Sequence, residues 1–283
     1  WADGLNRWEV DSLGRLVDIV HRYDRDNVYW LALTHDNQAP PLRLENLPAP
    51  PISGATDLFT GIDRARHEEE NMFRVSSSGF VESNYTWYWR NQREGVITFF
   101  NARNIAPMLP ATIDMGTRAG AGSILHPRLR IDGITTLPSA VKEFQGEDHS
   151  TLSEFKLAQF DPDADYILTF DSSEFNYLDF YTLIYSRNLD LAQGPLKFAA
   201  PDTTLEANFV IVNAATARLW DVTDPRMPVE VGDAVREGTT LRFGAGLLKG
   251  QRRVFYAFNE TSLRLPRPIS KVEMVTLHSP SPG

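Results

Sequence analysis

The sequence predicts an all-β fold: a jelly-roll-like β-sandwich followed by a smaller β-sandwich domain, with an N-terminal strand segment. Three observations carry that expectation. Aromatic residues make up 11% of the chain beside frequent Val, Ile and Thr, the residue types that pack well on a pleated surface. The 18 Gly and 18 Pro punctuate the whole length, as many short strands joined by turns require. From His67 onward, short apolar runs recur at sandwich spacing, whereas convincing amphipathic helices are few.

In chain order, residues 11–23 place Leu13, Leu16, Val17 and Val20 at helical spacing but Val17 and Ile19 at strand spacing, and the strand reading is preferred. Residues 27–33 (NVYWLAL) read as a buried strand. Residues 38–53 carry five prolines, which excludes a helix or a central strand and marks an extended connection. Strands follow at 72–75, 85–89, 95–102, 111–116 and 126–131. The last of these alternates polar and apolar residues and ends in Asp132-Gly133, a hairpin signal. Further strands are expected at 153–160, 165–170 and 178–186, then five short ones at 196–198, 208–212, 217–222, 241–243 and 253–258. The resulting division is 1–66, an N-terminal β segment with its Pro-rich connection; 67–200, the jelly-roll-like sandwich; 201–277, a small β domain; and 278–283, a linker toward a downstream domain.

Composition narrows the function. A net charge of −9 argues against nucleic acid and anionic membrane surfaces as partners. No apolar run approaches the roughly 18 residues of a membrane-spanning helix. The chain has no Cys, which removes disulfides, thiolate zinc sites and a cysteine nucleophile from these residues. It opens Trp1-Ala2-Asp3 without Met or an export signal, and so reads as a processed piece.

The motifs that could carry chemistry are sparse. Asp161, Asp163 and Asp165 alternate in a loop, with Asp171, Glu174 and Asp179 nearby, and alternating carboxylates can wrap Ca²⁺. The EF-hand pattern is not met, and a solvated turn accounts for the same residues more simply. His67-Glu68-Glu69-Glu70 lacks the second His of a zinc peptidase, which leaves His67 a structural role. The Gly-rich residues 116–122 match neither a phosphate loop nor a dinucleotide fingerprint, and no Gly-x-Ser-x-Gly elbow is present. Tyr85, Trp87 and Trp89 form the best binding feature, since sugars stack on exposed aromatic faces, although core packing competes for the same side chains. Asp221-Val222-Thr223-Asp224-Pro225 has the composition of a turn whose Asp and Thr side chains hold nearby backbone N–H groups. Asp179 is placed to pair with Arg187 across a sheet. No catalytic, cofactor-binding or metal residue is assigned beyond these candidates.

Several stretches then resemble a known family in the right order. Residues 27–31 (NVYWL) resemble its "vYWL" segment, 67–73 (HEEENMF) its acidic run before an aromatic, and 177–189 (YLDFYTLIYSRNL) its "yLDyieinYrr.L". Residues 194–198 (GPLKF) are similar to "g.L.F", and 217–229 (ARLWDVTDPRMPV) to "WDvTdP", the most specific of the set. Residues 269–279 fall where that family enters its peptidase domain, although Ser279-Pro280-Ser281-Pro282 departs from it. The family is the non-catalytic N-terminal β region of gingipain-like cysteine peptidases, closest to PorU-like sortases of the type IX secretion system. The resemblance implies a secreted or outer-membrane-surface bacterial protein whose β-rich domains precede a caspase-like domain. Its catalytic Cys and His lie downstream, so no catalytic residue carries over to this chain. The expected partners are the downstream peptidase domain of the same polypeptide, secreted protein substrates and other secretion components. The expected role is an accessory scaffold without enzymatic activity or cofactor of its own; the alternative is a carbohydrate- or cell-surface-binding sandwich.

Overall fold

The computed structural model describes residues 7–11, 15–19, 44–69, 72–73, 87–88, 90–92, 94–99, 102–119, 127–144, 150–170, 176–201, 206–246 and 252–262. Those residues are almost entirely β. One 11-stranded sheet runs through the molecule in the order Ala140–Glu143, Ser150–Phe160, Leu109–Ala119, Asn176–Asn188, Thr60–Glu68, Leu196–Ala199, Val254–Asn259, Ala217–Asp221, Val229–Gly232 and Asn46–Pro48. Arg90–Gln92 pairs beside the start of Asn176–Asn188 and completes it.

Two four-stranded sheets cover different halves of this long sheet. The first has the order Ile134–Thr136, Pro127–Ile131, Tyr166–Phe170, Glu94–Ile97; the second, Val235–Glu237, Thr240–Gly246, Glu206–Ile211, Thr56–Leu58. Each pair of layers encloses its own core, so the expected succession of two sandwiches is what the chain forms. The first core gathers Ile113, Met115, Leu129, Phe155, Leu168, Tyr181 and Leu183. The second gathers Phe198, Phe209, Ile211, Leu219, Leu241, Phe243 and Phe255. Its phenylalanines meet ring to ring, with Phe243 and Phe255 centroids 5.0 Å apart and Phe209 and Phe243 5.4 Å apart. Burying each ring contributes about 1.5–3 kcal/mol before entropy is counted.

Local sequence explains most of these strands. Ser150–Phe160 alternates buried and open positions, the period of a half-covered strand. Asp132 (φ 48°) and Gly133 (φ 84°) form the tight turn between Pro127–Ile131 and Ile134–Thr136, as the Asp-Gly pair leads one to expect. Asn176–Asn188 is buried on both faces over its first eight residues, and its apolar and aromatic content follows from that. Its register against Leu109–Ala119 shifts between Gly116 and Thr117: Gly116 faces Phe180 and Thr117 faces Leu178, which leaves Asp179 as the extra residue of a bulge.

Some segments lie differently from the sequence expectation. The Pro-dense connection packs onto the second sandwich. Asn46–Pro48 adds a parallel edge strand to Val229–Gly232, and Thr56–Leu58 pairs in parallel with Glu206–Ile211. Between them, Asn208, fully buried, accepts from the Ile52 N–H (2.7 Å) and donates to the Ile52 carbonyl (3.0 Å). Proline is tolerated here because the strand is an edge. Thr60–Glu68 runs straight through the expected boundary at 66/67 and sits centrally in the long sheet. In the N-terminal segment, Arg7–Val10 and Leu16–Ile19 form a hairpin, so the strand reading of 11–23 is the one realised over Leu16–Ile19. The expected strand at 27–33 lies outside the described residues.

The two sandwiches meet where Thr60–Glu68 lies against Leu196–Ala199, whose shared ladder holds a single residue pair, Ala199 with Ile62. The contact is close: a Cβ on Gly61 would lie 2.5 Å from Cδ2 and 2.8 Å from Cβ of Phe198. Gly61→Ala should therefore lower stability by about 1–3 kcal/mol, the usual cost of overpacking, read as a fall in the urea midpoint. An unchanged midpoint would show that the strands can part there without loss.

Candidate functional site

On the long sheet, Ile62, Arg64 and Arg66 share one face with Thr182, Ile184, Thr112 and Asp114, since the side-chain period is two and the register pairs Arg64 with Ile184 and Arg66 with Thr182. Tyr181, Leu183 and Tyr185 point the opposite way, into the first core. The first face is therefore charged where a simple sandwich would be polar and wet, and it is partly closed over by the N-terminal hairpin.

Asp18, on that hairpin, is the hub. Its carboxylate accepts from Arg64 Nε and Nη2 (both 2.8 Å), Thr182 Oγ1 (3.2 Å) and Arg66 Nη1 (3.4 Å). Arg64 also reaches Asp114 Oδ2 at 3.2 Å, and Arg66 Nε donates to Glu68 Oε2 at 2.7 Å. The Arg66 guanidinium lies 3.4 Å from the centroid of the Phe180 ring. Burial works against the Asp18 anion, but the hydrogen bonds and charge of Arg64, with Arg66 and Thr182, outweigh it and hold the carboxyl below the usual range. Burial pushes Asp114 the other way, against the pull of Arg64, with Glu154 and Asp18 adding to the rise.

A second cluster lies beside the first. Asp63 is buried and accepts from Arg187 Nη1 (2.8 Å), the Arg64 N–H (2.7 Å), Trp8 Nε1 (3.2 Å) and Tyr185 Oη (3.2 Å). Burial raises its carboxyl above the ordinary range, with Arg187's charge and these donors opposing. Tyr185 has one proton for two acceptors, Asp63 and the Arg103 carbonyl at 3.0 Å. Burial first, and then the Asp63 charge, lift its hydroxyl far above the ordinary value. The expected pairing of Asp179 with Arg187 does not form. Arg187 is taken by Asp63, and the bulged Asp179 is buried, where its charge supports the Arg66 cation.

Between these clusters and the sheet's end lies an open groove of about 370 Å³. Ile62 and Ile184 line it with Pro110, Pro201, Lys156 and Arg252. Its volume is that of a small-ligand cleft. Its floor is aliphatic, and Lys156 at its rim is paired with Glu154 at 3.3 Å. Among the described residues its lining contains neither a carboxylate nor a histidine.

The residues singled out from sequence fall elsewhere. Asp161 accepts from the Asp163 N–H at 3.0 Å, and Asp132 accepts from the Asp165 N–H at 2.9 Å, so two carboxylates at this hairpin end serve backbone turns. Among the described residues, no three acidic or histidine side chains converge as a metal site would require. His67 pairs with Tyr181 across the sheet and stacks on its ring at 5.2 Å, with Glu69 Oε1 4.0 Å from its Nε2. Tyr85 and Trp89 lie outside the described residues, as do Asp171 and Glu174; Trp87 is described only as a strand residue opposite Phe73. Asp221 does form the expected turn, accepting from Thr223 N (2.9 Å) and Oγ1 (2.6 Å), but it also takes Arg253 Nε at 2.9 Å. Sequence reading missed Asp18, Arg64 and Asp63. The only available signal was a strand, Thr60–Glu68, too charged for its central place.

Comparison with known proteins places the fold. No family model and no curated protein matches this sequence. Among solved structures the chain is similar to dimeric latent PorU from Porphyromonas gingivalis, with a TM-score of 0.59 and 14% identity over 78% of this chain. The match spans 22% of that chain, so the present sequence corresponds in fold to about a fifth of the PorU structure. No helix among the described residues is long and apolar enough to cross a membrane.

Two outcomes follow from the ion clusters. Asp63→Ala, which strands the buried Arg187, should cost about 3–5 kcal/mol, while Asp63→Leu with Arg187→Met should recover most of it; urea unfolding reads both. Asp18 has a lowered folded pKa, so its stabilisation is complete above the ordinary carboxylate range and disappears as pH falls through the folded value. Asp63 and Asp114, raised, act in the opposite sense. The stability gap between the native chain and Asp18→Asn should hence shrink on acidification through that range, and a gap independent of pH would refute the assignment.

Proposed function

We propose that this chain is a non-catalytic accessory region of a larger, exported bacterial peptidase of the gingipain-like kind, resembling the β-rich part of PorU-like type IX secretion sortases. In this reading the two sandwiches hold the downstream cysteine peptidase domain of the same polypeptide. They also offer a docking surface to secreted protein substrates or other secretion components. The location is the cell surface or its exterior. The observation that carries the reading is the likeness in fold to PorU over 78% of the chain, joined to the ordered motif resemblance whose most specific piece is residues 217–229. The absence of any Cys supports it further, because a cysteine nucleophile must then come from outside these 283 residues. The chain itself needs no cofactor in this role.

The test compares residues 1–283 with the parent polypeptide on peptide substrates, each with and without a thiol alkylator. Cleavage by the parent alone, abolished by alkylation, is the expected result. Cleavage by residues 1–283, or a parent without thiol-dependent activity, would overturn the proposal.

A further inference from the structure

Two sandwiches that share one sheet need something to fix the angle between them, and the backbone does little of this. Thr60–Glu68 and Leu196–Ala199 share one ladder pair, and the Leu189 N–H donates to the Phe59 carbonyl where the chain crosses. The chain crosses between sandwiches at Phe59, where Thr56–Leu58 gives way to Thr60–Glu68, and again between Asn188 and Leu196. A third core lies at this seam, separate from the other two: Trp8 and Leu16 of the hairpin with Ala199, Val222 and Val254, flanked by Ile62, Ile184 and Trp220. Trp8 and Leu16 are each only 7% exposed.

The hairpin grips both sides. Toward the first sandwich, Asp18 is seated on Arg64, Arg66 and Thr182, and Trp8 Nε1 donates to Asp63. Toward the second, Lys197 Nζ donates to the Trp8 carbonyl at 2.8 Å and lies 4.5 Å from the centroid of its ring. The same tryptophan thus spans the seam, with one hydrogen bond to each side. Arg15 and Asp11 close the hairpin's own turn with an ion pair at 2.7 Å.

We propose that the Arg7–Ile19 hairpin is a brace across a hinge: its seating, rather than the shared sheet, sets the angle between the two sandwiches, and unseating it frees that angle. The buried anion on the hairpin and the arginines beneath it make the brace specific, because a one-residue slip would turn Asp18 to the other face of its strand. The inference stands independently of the peptidase reading.

The absence of Cys allows labels to be placed without background. Thr135→Cys on the first sandwich and Glu237→Cys on the second are both exposed, on edge strands of the two four-stranded sheets. Spin-label distances between them are measured in the full chain, in Asp18→Asn and in Lys197→Met, with amide exchange followed in parallel. A narrow distance distribution is expected for the native sequence. Each variant should broaden it, with hairpin amides exchanging about tenfold faster and both sandwich cores unchanged. Faster hairpin exchange at an unchanged distance would overturn the proposal. So would cores that open together with the hairpin, which would make it part of one cooperative unit, or hairpin exchange that neither variant alters.

Discussion

The close approach of Gly61 to Phe198 is the constraint from which much of this molecule follows. A single sheet serves two hydrophobic cores, and it can do so only if the strand on one side of the seam comes within contact of the ring on the other. That proximity leaves room for one backbone pair, Ala199 with Ile62. The Leu189 N–H adds a backbone bond to the Phe59 carbonyl where the chain crosses, and side chains supply further cohesion. The third core and the two ion clusters collect at this place, while the two outer ends of the sheet carry nothing comparable among the described residues.

The chemistry of those clusters suits a positional role better than a purely stabilising one. Buried ion pairs seldom outperform a well-packed apolar replacement, because desolvation consumes much of the Coulombic gain. What they add is intolerance of misplacement. Asp63 satisfies four donors from three segments of chain, and Asp18 satisfies four from two adjacent strands. A hairpin that slid by one residue would present an apolar residue in place of Asp18 and leave Arg64 to Asp114 and Arg66 to Glu68 in a closed space. Register is thereby fixed on a face where hydrophobic patterning alone would leave it loose.

Much of the β architecture was legible in the amino-acid order. The Asp132-Gly133 turn, the alternation in Ser150–Phe160 and the apolar run of Asn176–Asn188 each state their structure locally, and the Asp221–Pro225 turn was readable from its side chains. Thr60–Glu68 was not, because both its faces carry charge and the partners lie far away: Arg187 is 124 residues from Asp63, and Asp18 is 46 from Arg64. No periodicity reports a pairing that exists only after the sheet has formed. Asn46–Pro48 escaped notice for a different reason, since proline argues against a strand until one knows that the strand is an edge. Asp161 holds a local turn through the Asp163 N–H, whereas the groove between Ile62 and Arg252 draws on segments that only the fold brings together.

The bulge at Asp179 has a consequence for how this chain can vary. Because facing alternates with every residue, a strand that carries one extra position upstream arrives downstream with its faces already corrected. Removing that position, or adding another anywhere between Tyr177 and Tyr185, would exchange the aromatic side for the ionic side along half the sheet. Length changes across this stretch would therefore have to occur as compensated pairs. Descendants of this sequence should differ in length at their turns while keeping the count through the middle of the molecule, so that the spacing itself, more than any residue in it, is what inheritance must preserve.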